Sequence, residues 1–551
     1  MTTASDPAGD AAERPAEIPI FTRKSTGLVK EVGLVDMTIF NAVSTSPIGA
    51  GLVFALFALV VFPRGNPYIA FVVALALSVL VSTTFALLSA AIPRIGGDYT
   101  INSRILHPWL GFTSNLCVFI STVIAAGLWA WWFGTQAFGP AFTVIGSVTG
   151  SSTFTRWGND LLGGRHNISF LMAVLALALV SVLAAKGTRL VMRVMSILFL
   201  IAAAGFVIDM GILLFSGHAH FHSTIDSTFG AGTYAKTVHA AHGSGVLPAE
   251  GGWSTKNTFG AISSMLAITV FVFWGTYMSA EFKGAGQRKR QLVSMVGAGI
   301  GQGIIVLIGM LIFLSTVGYS FFASSQAGNF TAGSSAVGTA GYAYFSALVA
   351  NNSVLVGLLA LAFIGWWLPG LYINLAMLQR ALLTWAFDGL APKRLGDVND
   401  RTHTPVVAIV VTFLASVATA AWVSYGSNFF RQTAFIQLFI FVTFFLTGIS
   451  AVLVKRRRPD IYEQSPAQWR LGGIEVLPVA GVGCMLVGVL GAGLILYFHE
   501  NLGITGGYYT SIIVAPIAVF VGAGAWWWAA KRMRAAQGID LNLAYKALPP
   551  E

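Results

Sequence analysis

"NAVSTSPIGAGL", residues 41–52, interrupts what is otherwise a membrane helix. Apolar residues flank it, from Val32 to Phe40 and from Val53 to Phe62, yet between them stand Asn41, Ser44, Thr45, Ser46, Pro47, Gly49 and Gly51. Non-helical backbone at membrane depth is tolerated only where it lines a cavity or is buried in protein. A second interruption, "FVFWGTYMSAEF" at 271–282, sets Gly275, Thr276, Ser279 and Glu281 into another apolar run. Either break alone reads equally as a kink with glycines for close helix packing. Two breaks in corresponding positions point to the paired discontinuous helices of an inverted-repeat transporter.

The whole chain fits that setting. Of 551 residues, 56% are hydrophobic and 10% charged, with a mean hydropathy of +0.75. Soluble domains carry about 25% charged residues. Stretches near the ~20 apolar residues that cross a bilayer number twelve: 33–62, 67–91, 109–139, 168–185, 190–215, 259–282, 292–322, 352–380, 405–424, 430–454, 475–498 and 508–530. The expected fold is an all-α polytopic membrane protein with 12 transmembrane helices. These form a 5+5 inverted repeat with helices 1 and 6 discontinuous, plus two C-terminal helices. The expected segments are a cytoplasmic tail at 1–31, a first five-helix repeat at 32–215 and a long extracellular loop at 216–258. A second repeat at 259–455, a cytoplasmic loop at 456–474, helices 11 and 12 at 475–530 and a cytoplasmic tail at 531–551 complete the chain.

The net charge of +11 does not indicate a nucleic-acid partner, because the basic residues sort by loop. With an even number of spans, 26 of the 32 Lys and Arg fall on the side that holds both termini. The positive-inside rule makes that side cytoplasmic and the protein a multi-pass protein of the cell membrane. The first 30 residues have no apolar core of a cleavable signal. Cys117 and Cys484 both fall inside apolar stretches and read as small buried residues, with neither a disulfide framework nor a metal site implied.

A broken helix exposes amide N–H groups at the start of one half and carbonyls at the end of the other, with opposite partial charges. Around Ser44–Gly49 and Phe273–Thr276 such ends can hold a carboxylate and an ammonium without a charged side chain. A zwitterion suits that arrangement.

Four stretches resemble the amino acid/polyamine/organocation (APC) transporter superfamily, in its amino-acid permease branch. They are "STSPIGAGL" (44–52), "IPRIGGDYTINSRILHPWLGF" (92–112), "FVFWGTYMSAEFKGAGQRKR" (271–290) and "LQRALLTWAFDGLAPKRLGDVNDRTHTP" (378–405). The resemblance spans about residues 30–460 and implies a LeuT-like fold. It also implies amino-acid transport by alternating access, as exchanger or ion-coupled symporter. Under it, Ser44, Thr45, Ser46, Ile48 and Gly49 contact the substrate carboxylate. Phe271, Phe273, Trp274 and Gly275 meet the amine through carbonyls, with Phe273 or Trp274 as an aromatic gate. Pro47 departs from the usual glycine-rich segment. The stretch 196–206 lacks the span 5 Lys of some proton-coupled members, and 363–374 lacks the span 8 hydroxyls of sodium-coupled relatives. That leaves exchange, or a proton or sodium ion bound in another way. A polyamine or organic-amine transporter and a transporter-like nutrient sensor are the alternatives.

Trp366 and Trp367 lie deep in span 8, where Trp366 joins the candidate substrate site unless the pair is packing between helices. Trp129, Trp131 and Trp132 lie close to a span end and read as interfacial anchors. Asp209 is a coupling candidate inside span 5, or a carboxylate solvated near the outer interface. Glu281, two residues from Lys283, is an inner-gate candidate or a helix-end ion pair. In span 3, Asn115, Ser121 and Thr122 could face the site, with no face chosen. His218, His220, His222, His239 and His242 in the 216–258 loop read as incidental, so neither a metal nor any other cofactor is expected. No HExxH, GxSxG or GxxxxGK[ST] is present to suggest an enzyme or ATP hydrolysis. No ring of charges suggests a channel.

Overall fold

A computed structural model of the chain describes residues 27–44, 52–243, 252–326, 341–426 and 429–549. The first apolar run is split into α1 (Leu34–Ser44) and α2 (Leu52–Val61), each short, on either side of residues 45–51. α3 (Pro67–Ala91) starts where the Asn66 side chain accepts from the Tyr68 and Ile69 amides. Pro67 stands in its first turn, where a missing N–H costs nothing. After the short α4 (Asp98–Ile105), His107 and Pro108 start α5 (Pro108–Trp132) in the same way. α5 continues through a π-turn, Phe133–Phe138, into α6 (Gly139–Thr149). The wider turn accommodates Pro140, so this span runs ten residues past the hydropathic limit at 139.

α7 (Ser152–Asn159) and α8 (His166–Ala185) lead to α9 (Thr188–Phe229), which bends at Gly217 with φ 68. With α10 (Thr233–Gly243), the end of α9 makes much of the expected loop helical. α11 (Thr255–Thr269) tightens into a 3₁₀ stretch, Val270–Met278. α12 (Arg288–Leu292) and α13 (Ala298–Val317) form the next span, followed by the short α14 (Tyr319–Gln326) and α15 (Gly341–Ala350). α16 (Ser353–Gly365) and α17 (Trp367–Phe387) make one kinked span, because Pro369 has no amide to offer the Gly365 carbonyl. α18 (Val406–Gly426), α19 (Phe429–Arg457) and α20 (Pro459–Tyr462) follow. A small hairpin, β1 (Arg470–Leu471) with β2 (Ile474–Glu475), turns through Gly472 and Gly473, both at positive φ. α21 (Val476–Tyr497), α22 (Gly507–Ala535) and α23 (Leu541–Lys546) complete the order.

Eleven of these helical runs are long and apolar enough to cross a membrane, besides the split α1 and α2. Their outward faces agree: on α8, Leu171, Leu175, Leu179 and Val182 form an exposed apolar stripe at helical spacing. This is an all-α, multi-pass membrane protein. α5 is central, packed by α4, α8, α17, α18, α19 and α22. Both described ends of the chain meet one face. Val32 exchanges backbone hydrogen bonds with Glu281 and Lys283, each 3.0 Å, and Tyr545 of α23 reaches Tyr99 of α4 at 3.0 Å between hydroxyls. We term this the terminal face, and the opposite one, carrying α10, α14 and α15, the loop face.

Candidate functional site

Of the residues expected to contact the substrate, Thr45, Ser46, Ile48 and Gly49 lie outside the described residues, as does Pro47. Ser44 closes α1, and its hydroxyl donates to the carbonyls of Asn41 at 2.5 Å and Phe271 at 3.0 Å. The span 6 break does not unwind into extended chain. It tightens into 3₁₀ geometry, whose i→i+3 bonds fit fewer residues per turn. Thr276 Oγ1 donates to the Phe273 carbonyl at 2.6 Å, so that carbonyl is already engaged. A Cβ on Gly275 would lie 2.7 Å from Asn41 Nδ2 and 2.8 Å from the Met37 methyl. Glycine therefore lets α1 lie directly on the 3₁₀ stretch. Asn41 donates to the Ser294 carbonyl at 2.8 Å, while its buried Oδ1 has no partner among the described residues.

Beside this crossing is a cavity of about 60 Å³, lined by Ser44, Trp129, Trp132, Phe271, Trp274 and Asn374 among others. Among the described residues no charged side chain lines it. Trp129 packs on Trp132 at 5.5 Å between ring centroids and on Trp367 at 5.4 Å, its ring lying against Gly370. Trp274 meets Phe271 edge-on at 5.4 Å. Two polar atoms of the lining residues, Asn374 Oδ1 and Trp274 Nε1, are buried with no hydrogen-bond partner among the described residues.

Three expectations shift here. Trp129 and Trp132 wall the cavity and are not interfacial anchors, because the span runs on to Thr149 and leaves them well inside it. Trp366 is not in the lining; it packs on Phe199 at 5.5 Å, whereas its neighbour Trp367 backs the tryptophan pair. Consecutive helical residues point about 100° apart, so only one of them can face the cavity. Phe273 also turns away, against Phe85 at 4.8 Å and Phe444 at 5.2 Å. Ser44, Phe271 and Trp274 are brought together.

Towards the terminal face lie polar contacts. Glu281 forms a two-pronged pair with Arg380, Oε1 to Nε at 2.9 Å and Oε2 to Nη2 at 3.0 Å, and Thr188 donates to Oε2 at 2.8 Å. Its partner is thus across the fold and not the nearby Lys283. Arg104 and Asp388 form a second buried pair at 2.7 Å, with the Tyr545 ring 4.9 Å from the guanidinium. Asp98, fully buried, accepts from Ser114 Oγ at 2.5 Å, from Asn115 Nδ2 at 2.9 Å and from the Tyr277 hydroxyl. Burial pushes its carboxyl up from the ordinary range, and the Ser114, Tyr277 and Asn115 donors pull it part of the way back. Trp385 Nε1 donates to Asn115 Oδ1 at 2.8 Å, which places Asn115 in this network and outside the cavity lining. Sequence reading missed Asp98. The only signal is an acid placed between two glycines and a tyrosine, and nothing in one sequence says that such a turn is buried.

Towards the loop face the contacts are aromatic. Tyr234 stacks on Phe321 at 4.6 Å with the rings 2° from parallel, Phe221 meets Phe345 at 5.3 Å, and Phe313 meets Phe322 at 5.0 Å. Asp209, 21 residues along α9 from Thr188 and so about 30 Å away, is buried there and accepts from Ser346 Oγ of α15. Of the loop histidines, His218 contacts the Thr316 carbonyl at 3.0 Å and His222 pairs with Asp226 at 3.4 Å.

A comparison with curated proteins finds no match. Residues 37–524 match the family described as Amino acid permease, a region that contains both helix breaks, the cavity and the buried acids Asp98, Asp209, Glu281 and Asp388. The chain belongs to the amino acid permease family and is a multi-pass membrane transporter of amino acids.

Proposed function

We propose that the chain is a secondary active transporter that carries a neutral amino acid across the cell membrane by alternating access. The observation that carries this reading is the cavity at the crossing of spans 1 and 6, whose described lining is aromatic rings and polar atoms without a formal charge. An unpaired buried polar atom costs about 1–3 kcal/mol. Asn374 Oδ1 and Trp274 Nε1 therefore suit a ligand that brings a donor and an acceptor. A cationic side chain would find no counter-charge there. The twelve spans form two inverted five-helix units with two helices appended, and spans 1 and 6 rock against spans 3, 4, 8 and 9. The basic residues gathered on the terminal face make it cytoplasmic. Exchange needs no coupling ion; a proton is the coupling ion that the buried acids support.

Counterflow into proteoliposomes tests this. Vesicles loaded with unlabelled amino acids should accumulate labelled neutral ones with no ion gradient, and Gly275→Val should abolish accumulation while the protein still folds. Failure of every labelled amino acid, or unimpaired uptake by Gly275→Val, would overturn the reading.

A further inference from the structure

Among the described residues four acids are buried: Asp98, Asp209, Glu281 and Asp388. Glu281 and Asp388 each face an arginine at 2.7–3.0 Å, so their charges are matched where they stand. Asp98 is held differently. Its partners are two hydroxyls and an amide, all uncharged, and they come from different elements. Ser114 and Asn115 belong to α5, while Tyr277 belongs to the 3₁₀ stretch of span 6. One carboxyl thus ties span 6 to span 3, and through Asn115 and Trp385 to α17. Tyr277 is also seated closely: a Cβ on Gly97, itself at φ +54, would stand 2.6 Å from its ring.

The other titratable groups nearby are occupied elsewhere or carry no charge. On α4, Tyr99 and Arg104 turn to Tyr545 of α23 and Asp388. From α17, Arg380 is taken by Glu281. α5 offers Cys117, close enough to feel the carboxylate, and α19 offers Thr443, Thr447 and Ser450, which bond to Ser114 and Asn102. Among the described residues no cation is bonded to Asp98.

Resting on the transport reading above, we propose that Asp98 is a proton-binding site of the transport cycle. It keeps its proton while the terminal face is closed and releases it to solvent when Tyr277 parts from Ser114 and Asn115. A carboxylate in a dry site without a cation favours its neutral form, and hydration restores the charged one. The closed face therefore binds the proton more tightly than the open face. By reciprocity protons hold it closed. In the protonated state the carboxyl O–H donates to the Tyr277 or Ser114 oxygen, each of which has lone pairs to accept it. The step moves one proton and breaks no other bond.

The test measures counterflow in proteoliposomes at equal pH on both sides, from mildly acidic to mildly alkaline, using the labelled amino acid that the panel above selects. The wild-type rate should fall as pH falls, by up to about tenfold for each unit by which the closed-state pKa exceeds the open-state one. Asp98→Asn should be slow and flat across the range. Tyr277→Phe removes a donor to the carboxylate, so slowing should begin at higher pH than in wild type. An Asp98→Asn variant that keeps the wild-type profile would overturn the proposal. So would a profile that disappears only in Asp209→Asn. Infrared titration of the purified full chain reads the carboxyl without transport. A protonated-carboxyl band that titrates in wild type and is missing in Asp98→Asn supports the site even where counterflow fails. Counterflow in protein without that band removes Asp98 and leaves the transporter.

Discussion

The two faces of the molecule are held together by different physics. On the terminal face, Glu281–Arg380, Arg104–Asp388 and the Asp98 cluster join helices through directional, charge-bearing contacts. On the loop face, Tyr234, Phe321, Phe221 and Phe345 join through ring packing, with Asp209–Ser346 as the polar exception. A buried ion pair has one good geometry, and losing a partner strands a charge. Ring contacts degrade gradually as rings shift. The contacts of the terminal face are therefore either made or lost, while those of the loop face can yield by degrees.

The sharpest way to break this contrast is Arg380→Ala, which leaves Glu281 buried with only Thr188 as partner. It should destabilise the purified protein by about 3–5 kcal/mol, read as a fall in melting temperature in detergent together with loss of counterflow. Ser346→Ala tests the polar exception on the loop face. With its hydroxyl donor gone, Asp209 should lower stability by about 1–3 kcal/mol, and the same melting assay would show it. A cost equal to that of Arg380→Ala would erase the distinction between the faces. Phe321→Leu keeps the volume roughly and removes the stack on Tyr234, so about 1 kcal/mol is expected. Counterflow should persist in that variant.

Hydropathy places nearly every span, because twenty apolar residues admit few other readings. The break at Gly275 and Thr276 is legible for the same reason: small and polar residues in a bilayer need a cause. Its geometry is not legible, since neither residue says whether the backbone unwinds or tightens to 3₁₀. The cavity wall is harder still. A span that is apolar all round gives no moment to orient it, so Trp129 cannot be ranked over Trp131, nor Trp367 over Trp366. Arg380 and Glu281 are 99 residues apart, and their pairing follows only from how two spans pass each other.

One contact described above bears on the order of assembly. Tyr99 and Tyr545 lie 446 residues apart, with Tyr545 covering the Arg104 guanidinium. Such a distant pairing forms late, after the helices between have been threaded and docked. Until then Arg104 has the Tyr99 ring at 5.7 Å but not that of Tyr545. A newly inserted chain thus passes through a stage in which the spans are in place and this face is unfinished. Fusions placed directly on α23 would hold it at that stage.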